Sequence, residues 1–427
     1  MLAYYKRTLI HLFSQVQQVR ANPARNAALC LTIQETLTKK ITQVEGRIRR
    51  ARLLAKEKAA YLRAKRSEPL SKTAARELKG EIGKHRDRIE QYRCLLRILR
   101  SVADALAFVY LDKWDIKPMA FRESSGFISG KAGARIERRC LRELFRAGHV
   151  AILNDLTNCL RYGDITVADD SRQGILIEVK ASTLTNRRTN RQKACLEGLC
   201  NYLLTDKTTN LYGRTDWTVQ RRSVHSQESH HRRGLNDLIR DSYAGRRHGM
   251  TPEDGLHYFV VAGQRAPSFD MEAVLEAELR DRLTTGQYAA FFISEMKYNN
   301  VAYTPYVLSI DDSQAVYDFY AGNLFIVVLA DLSLLAARLA SHGLLLSETD
   351  DPDLAFVIEY ADSEEDWIAI SRHFFHRLPC EFLSLAWFAD EMVHLARIGP
   401  EELAAAGEAP AVAPPHKPSA RRIGVRS

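Results

Sequence analysis

The sequence predicts a mixed α/β protein with three parts: an antiparallel helical hairpin at the N-terminus, a core of one helix, three strands and a second helix, and an α/β extension beyond it. Three observations lead there. Apolar residues recur at alternating spacings of four and three through much of the first hundred residues. Short β-prone runs bounded by glycine and polar turns follow. The charge also divides: residues 1–100 hold 24 Lys/Arg and 8 Asp/Glu, whereas the rest of the chain holds 37 and 44. A basic N-terminal segment is thus joined to a mildly acidic body, and the net charge of +9 over 427 residues favours an anionic partner.

The hairpin rests on two stripes. Leu37, Ile41, Val44, Ile48, Ala51, Ala55, Lys58 and Leu62 form one; Leu78, Ile82, His85, Ile89, Tyr92, Leu96, Leu99, Ala103 and Leu106 form the other. Sustained 4-3 spacing puts each set on one narrow seam. Between them Pro69 cannot continue a helix, and Ser71 is suited to cap the next one. Off the seam lie Arg47, Arg49, Arg50, Arg52, Lys56, Arg63, Lys65 and Arg66, which form either a solvated face or an arm that contacts phosphates. The alternative role for the hairpin is to join two protomers or to hold a partner protein.

Beyond a connector the pattern changes. Ala134 to Ala147 reads as a helix stopped by Gly148, Val150 to Leu153 and Asp164 to Ala168 as strands, Ile175 to Lys180 as a third strand, and Asn190 to Leu204 as a helix. Residues 206–256 read as a basic, polar insertion. Strands are expected at His257 to Ala262, Tyr288 to Ile293, Phe325 to Ala330 and Leu354 to Ile358. Helices are expected at Asp270 to Leu283, after Ala330 as far as Ser341, at Glu364 to Phe375 and at Glu381 to Arg397. The Ala/Pro-rich stretch beyond Pro400 reads as a disordered tail. Ser347 to Trp367 carries nine acidic residues and no Lys or Arg, and reads as a solvated acidic loop.

Seven scattered cysteines without a CxxC pair argue against a zinc ribbon or a disulfide framework and fit a reducing, cytoplasmic setting. The most apolar stretch, Phe325 to Leu346, contains Asp331, Arg338 and His342, which argues for buried globular structure rather than a membrane span. His373, His376 and Cys380 have metal-like spacing, which a helix near its end explains as well.

The chemistry concentrates in Arg161-Tyr-Gly-Asp-Ile-Thr-Val and Ile175-Leu-Ile-Glu-Val-Lys-Ala-Ser. Asp164 opens one expected strand. Glu178 and Lys180 share a face of the next, with Ile177 and Val179 pointing the other way. Two nearby carboxylates repel each other, and a divalent cation relieves that repulsion. Glu137 adds a third acid on the apolar face of its helix, in line with Cys140, Leu141 and Leu144; such a residue is costly there unless paired or bound to metal. Arg135, Arg139, Arg142 and Arg146 form a separate basic stripe on that helix.

Glu on a helix, then Gly-Asp, then Glu-x-Lys on a third strand resembles the PD-(D/E)XK nuclease superfamily, over about residues 125–205. Gly163 stands where the motif has Pro. The resemblance implies a restriction-endonuclease-like αβββαβ core at 111–205. The hairpin then occupies 1–110, the insertion 206–256, the α/β extension 257–400 and the tail 401–427. It further implies Mg²⁺ or Mn²⁺ held by Asp164, Glu178 and the carbonyl of Val179, with Lys180 serving the attacking water and Glu137 and Gln192 completing the site. Arg135, Arg139, Arg142, Arg232 and Arg233 are the expected nucleic-acid contacts. The expected function is phosphodiester hydrolysis, with DNA the favoured substrate and phage defence or restriction the analogous setting. The alternatives are a silent nucleic-acid-binding module and a coiled-coil interaction protein.

Overall fold

The computed structural model describes residues 1–65, 70–120, 126–131, 133–179, 187–208, 219–220, 224–262, 287–298, 301–405 and 419–424. The chain divides into two compact units. One holds Met1–Arg222 with Tyr298–Tyr317, the other Ser223–Lys297 with Asp318–Ser427.

The first unit begins with a helix the seam pattern did not announce, α1 (Leu2–Ala21), which buries Leu9, Leu12, Phe13 and Val16. The expected hairpin follows as α2 (Ala27–Ala64) and α3 (Lys72–Tyr110). Ser71 does cap α3, its hydroxyl accepting the Ala74 N–H at 3.1 Å. Leu37, Ile41, Val44 and Ile48 are fully buried on one arm, as are Leu99, Ala103 and Leu106 on the other. Towards the tip the seam is thinner: Ala55, Lys58, Leu62 and Leu78 are only half-buried. Towards the base Leu95, Ile98, Val102 and Ala105 are buried too, so α3 there is packed on more than one side. The helix α1 supplies part of that packing, against both α3 and α2.

A short helix, α4 (Lys113–Ala120), leads to α5 (Ala134–Arg146). Strands β1 (Val150–Leu153), β2 (Ile165–Ala168) and β3 (Gly174–Ile177) then form an antiparallel sheet in that order. Leu153 pairs with Ile165, and Ile165 with Ile177. The helix α6 (Arg187–Thr205) and strand β4 (Lys207–Thr208) complete the expected order of elements. Two expectations need correction. The third strand ends at Ile177 rather than Lys180, and Ile175 is 55% exposed, because β3 has one strand neighbour among the described residues. The strand β4 pairs with β5 (Val219–Gln220), not with the three-stranded sheet.

In the second unit the presumed insertion contains α7 (Arg232–Tyr243) and β6 (Gly249–Glu253), both integral to that unit. With β7 (Leu256–Ala262), β8 (Tyr288–Phe292) and β9 (Leu324–Asp331), β6 forms a sheet of order β6-β7-β9-β8. The helix α8 (Leu332–Ala340) is capped by Asp331. The acidic stretch is not a loop. Strands β10 (Leu344–Thr349), β11 (Leu354–Tyr360) and β12 (Ser363–Ser371) run through it, alternating apolar residues such as Phe356 and Ile358 into the core. The helix expected from Glu364 therefore begins only at α9 (Arg372–Cys380), after Ser371 caps it. A further helix, α10 (Leu385–Ala405), follows, and the supposed tail returns as β13 (Ala420–Arg422) on the edge of β10. The helix expected over Asp270 to Leu283 lies outside the described residues.

Candidate functional site

Asp164 is held from three directions. Its N–H donates to the Ile177 carbonyl at 2.9 Å, and its own carbonyl accepts the Asn154 N–H at 3.0 Å. Its carboxylate Oδ2 accepts the Val179 N–H at 2.7 Å. The chain reaches this position through Gly163, whose φ of +67° is costly for a side-chain-bearing residue. A Cβ at Gly163 would also lie 3.1 Å from the Ile177 carbonyl. That close approach is the physical reason for glycine in front of this aspartate. Burial raises the Asp164 pKa and Asp155 adds to the rise, against the Val179 N–H and Lys131, which lower it.

Glu137 sits in the first turn of α5 and is 6% exposed. Its carboxylate folds back over Gly133, with Oε1 2.9 Å from where a Cβ would stand. Burial, then the negative charges of Asp164 and Asp155, push its pKa up to about 7, with only partial relief from Lys131 and Arg138. Glu137 therefore feels the charges of Asp164 and Asp155, and Asp164 that of Asp155, across the ends of α5, β1 and β2. Asp155, in the turn Asn154–Leu156 after β1, and Lys131, its ion-pair partner, were not anticipated from the sequence. The available signal was position: in a β1-β2 hairpin the residues leaving β1 lie beside those entering β2.

Buried polar side chains of the long helices hold the loops around this cluster. Gln34 donates to the Ala151 carbonyl at 2.9 Å and accepts the Leu153 N–H at 2.8 Å. Glu45 accepts the N–H groups of Ile128 and Ser129 at 2.9 and 2.8 Å and faces Arg100 at 3.8 Å. Asp104 accepts from the backbones of Asn158 and Cys159 at 2.6 and 3.0 Å. Asn154 donates to the Tyr162 carbonyl and accepts from the Thr166 hydroxyl at 2.6 and 2.8 Å.

The other expected residues fare differently. Glu178 is exposed one residue beyond β3, next to the peptide that bonds Asp164. Lys180 and the side chain of Gln192 lie outside the described residues. Arg135 and Arg139 are exposed on α5, whereas Arg142 is paired with Glu35 of α2 at 2.7 Å. Arg232 and Arg233 belong to the other unit; the first donates to the Glu381 carbonyl at 3.4 Å and the second is exposed. On the hairpin Arg47 donates to the Tyr5 hydroxyl at 2.6 Å, and Arg49 and Arg52 both cover the Phe127 ring. All three have intramolecular partners and stay exposed. Among the described residues no group of three or more His, Cys, Asp or Glu is arranged to hold a metal ion, His373, His376 and Cys380 included. No helix among them is long and apolar enough to cross a membrane.

Comparison of the chain with protein-family models, with curated proteins and with solved structures finds no match.

Proposed function

We propose that this protein is a divalent-metal-dependent phosphodiesterase acting on nucleic acid, with a PD-(D/E)XK-like core built from α5, β1 to β3 and α6. The observation that carries the reading is a buried Glu137 carboxyl near Asp155 and Asp164, with Asp164 oriented by the Val179 N–H and Asp155 paired with Lys131. A fold gains nothing from unrelieved carboxylate repulsion, and a cation or a reaction can use it. The donors are all oxygen, which suits Mg²⁺ or Mn²⁺. Mg²⁺ commonly takes one or two carboxylates and keeps its remaining positions for water and substrate phosphate, so a three-residue cage is not required.

In this reading Asp164, Glu178 and the carbonyl of Val179 would hold the ion. When bound, the ion supplies Lewis acidity and a more acidic water. The Val179 N–H orients Asp164 through Oδ2, and the carboxylate so held would contribute to holding the ion. Glu137, with a pKa of about 7, exchanges a proton readily near neutrality. Lys180 would orient the attacking water, and Gln192 would support the substrate phosphate.

Incubation of the purified chain with single- and double-stranded DNA and RNA, with Mg²⁺, Mn²⁺ or EDTA, tests the proposal. Cleavage of at least one form with metal and of none in EDTA is the expected result; intact substrates under every condition would remove the catalytic reading. The exposed Arg135 and Arg139 of α5 suit one second reading, a binding module without catalysis, for which retention of nucleic acid without cleavage is the signature.

A further inference from the structure

The hairpin is electrostatically two-sided. At 100° per residue, Arg49, Arg52, Lys56 and Arg63 fall on one flank of the α2 seam, and all four are exposed. On α3 the same construction places Lys79, Arg86, Arg93 and Arg97 on one flank, again all exposed. Because the helices are antiparallel, these flanks form the same edge of the hairpin. Two ion pairs confirm the sense of rotation. Glu45 and Arg100, which meet at 3.8 Å, both project onto this edge at its base. Lys58 and Glu81, which meet at 2.6 Å, both project onto the opposite edge. The acids on the basic edge are already engaged: Glu45 is buried against two backbone N–H groups, and Glu90 pairs with Arg93 at 2.6 Å. The opposite edge interleaves Glu77 and Glu81 with its basic residues.

The base of the basic edge is where the candidate site is assembled. Arg49 donates to the Ser129 carbonyl, and Arg49 and Arg52 stack on Phe127 of the same loop. That loop continues to Lys131, which pairs with Asp155. Arg100 lies close enough to Asp155 to feel its charge.

We infer that this edge is a docking rail for double-stranded nucleic acid, aligned so that a duplex lying along it ends at the Glu137–Asp164 cluster. The inference rests on the nucleic-acid reading proposed above and deepens it by naming the substrate form and its track. A double strand is favoured over a single strand by two features. Two rows of cations on helices about 8–10 Å apart match the scale of duplex grooves, about 6–12 Å wide. The adjacent aromatic ring, Phe127, is covered by two guanidinium groups rather than open for base stacking, the usual device of single-strand binders. From Arg49 to Arg63 the rail runs about 21 Å, roughly six base pairs.

The test is metal-free binding of the full chain to labelled duplexes in EDTA, read by anisotropy across a salt series. A triple variant, Lys56→Gln, Arg63→Gln and Arg86→Gln, removes three rail charges that make no contact to the site loop. A control of equal charge change, Arg50→Gln, Lys84→Gln and Arg88→Gln, removes three from the other faces. The rail variant should lower the slope of log affinity against log salt by about 2.7 and the control should not. Affinity for the parent chain should rise with duplex length and exceed that for a single strand of equal length. Equal losses in both variants, no loss in either, or preference for the single strand would overturn the rail. Its failure is distinguishable from failure of the nuclease reading: selective binding along the rail without cleavage in Mg²⁺ removes only the catalysis, and cleavage with unchanged rail-variant binding removes only the rail.

Discussion

Two partly buried glutamates, one in each unit, show how differently the same side chain is treated. Glu253, at the end of β6, accepts the Ser384 hydroxyl at 2.9 Å and the Leu385 N–H, and lies 3.3 Å from His231. Burial works to raise its pKa, but His231, the Leu385 N–H and Ser384 together outweigh it, and the carboxyl ends below its ordinary value. Glu137 meets burial with two further carboxylates instead of donors and rises to about 7. Glu253 is a fastener between β6 and the start of α10. Glu137 has no such set of donors, and its carboxyl is left with burial and like charge. The same contrast holds elsewhere in the second unit, where Arg377 lies between Glu228 and Glu381 and Glu391 accepts the N–H groups of His225 and Ser226 at 3.0 Å each.

Four substitutions probe this contrast. The largest effect is expected from Asp164→Asn, which should lower metal-dependent cleavage by on the order of 10²-fold or more while circular dichroism and the melting curve stay close to the parent. Parent-like turnover would move the chemistry away from this cluster. Next is Glu253→Ala. It removes the acceptor of two hydrogen bonds and the partner of His231, and should destabilise the protein by about 3 kcal/mol, read as an earlier unfolding transition without change in the metal requirement.

A smaller loss, about 1–2 kcal/mol, is expected for Gly163→Ala, because alanine at φ +67° is strained and its Cβ meets the Ile177 carbonyl. Chemical denaturation would measure it. An unchanged midpoint would mean that the turn relaxes and that Asp164 is less firmly set than its hydrogen bonds imply.

The pH-dependent effect is the most diagnostic. Glu137 has a folded-state pKa raised from 4.5 to about 7, so the native state holds its proton where the unfolded state has lost it. Its contribution to stability is full below pH 4.5 and is lost as pH rises to about 7. Glu137→Gln, which keeps the neutral form, should therefore melt higher than the parent at pH 8 and near the parent at pH 5. Mg²⁺ should raise the parent's melting temperature at pH 8, where the carboxylate is ionised, and do so less at pH 5. A melting difference that does not vary with pH would place the Glu137 carboxyl in an ordinary hydrogen-bonded role like that of Glu253.

Much of this was readable in local pattern. Ile41, Val44 and Ile48 mark their seam by spacing alone, and Ser71 marks a cap by its place after Pro69. Asp164 stood out because Gly-Asp precedes an alternating strand, and Glu137 because it interrupts an apolar helical face. The failures share a cause as well. Within the acidic residues from Glu348 to Asp366 the strand over Leu354 to Ile358 is legible, but charge hides its partners, and the strand that carries Ile368 and Ile370 reads as helix instead. The run after Pro400 reads as featureless by composition, yet three of its residues find the open edge of β10, a long-range pairing that composition does not encode.

Local spacing sets the helices of the hairpin and the order of α5, β1, β2, β3 and α6. Those depend on spacing along one chain segment, where 3.6- and 2-residue periods act over a few neighbours. The tertiary structure decided which charges are compensated. It brought Asp155 and Lys131 to Glu137, set Glu45 and Arg100 under the loop that carries Phe127, and drew Arg47, Arg49, Arg52 and Arg142 into internal contacts. A carboxylate's charge state follows from the donors and charges within a few ångströms in space. Those neighbours here come from segments as far as 166 residues apart, so no local pattern could report them.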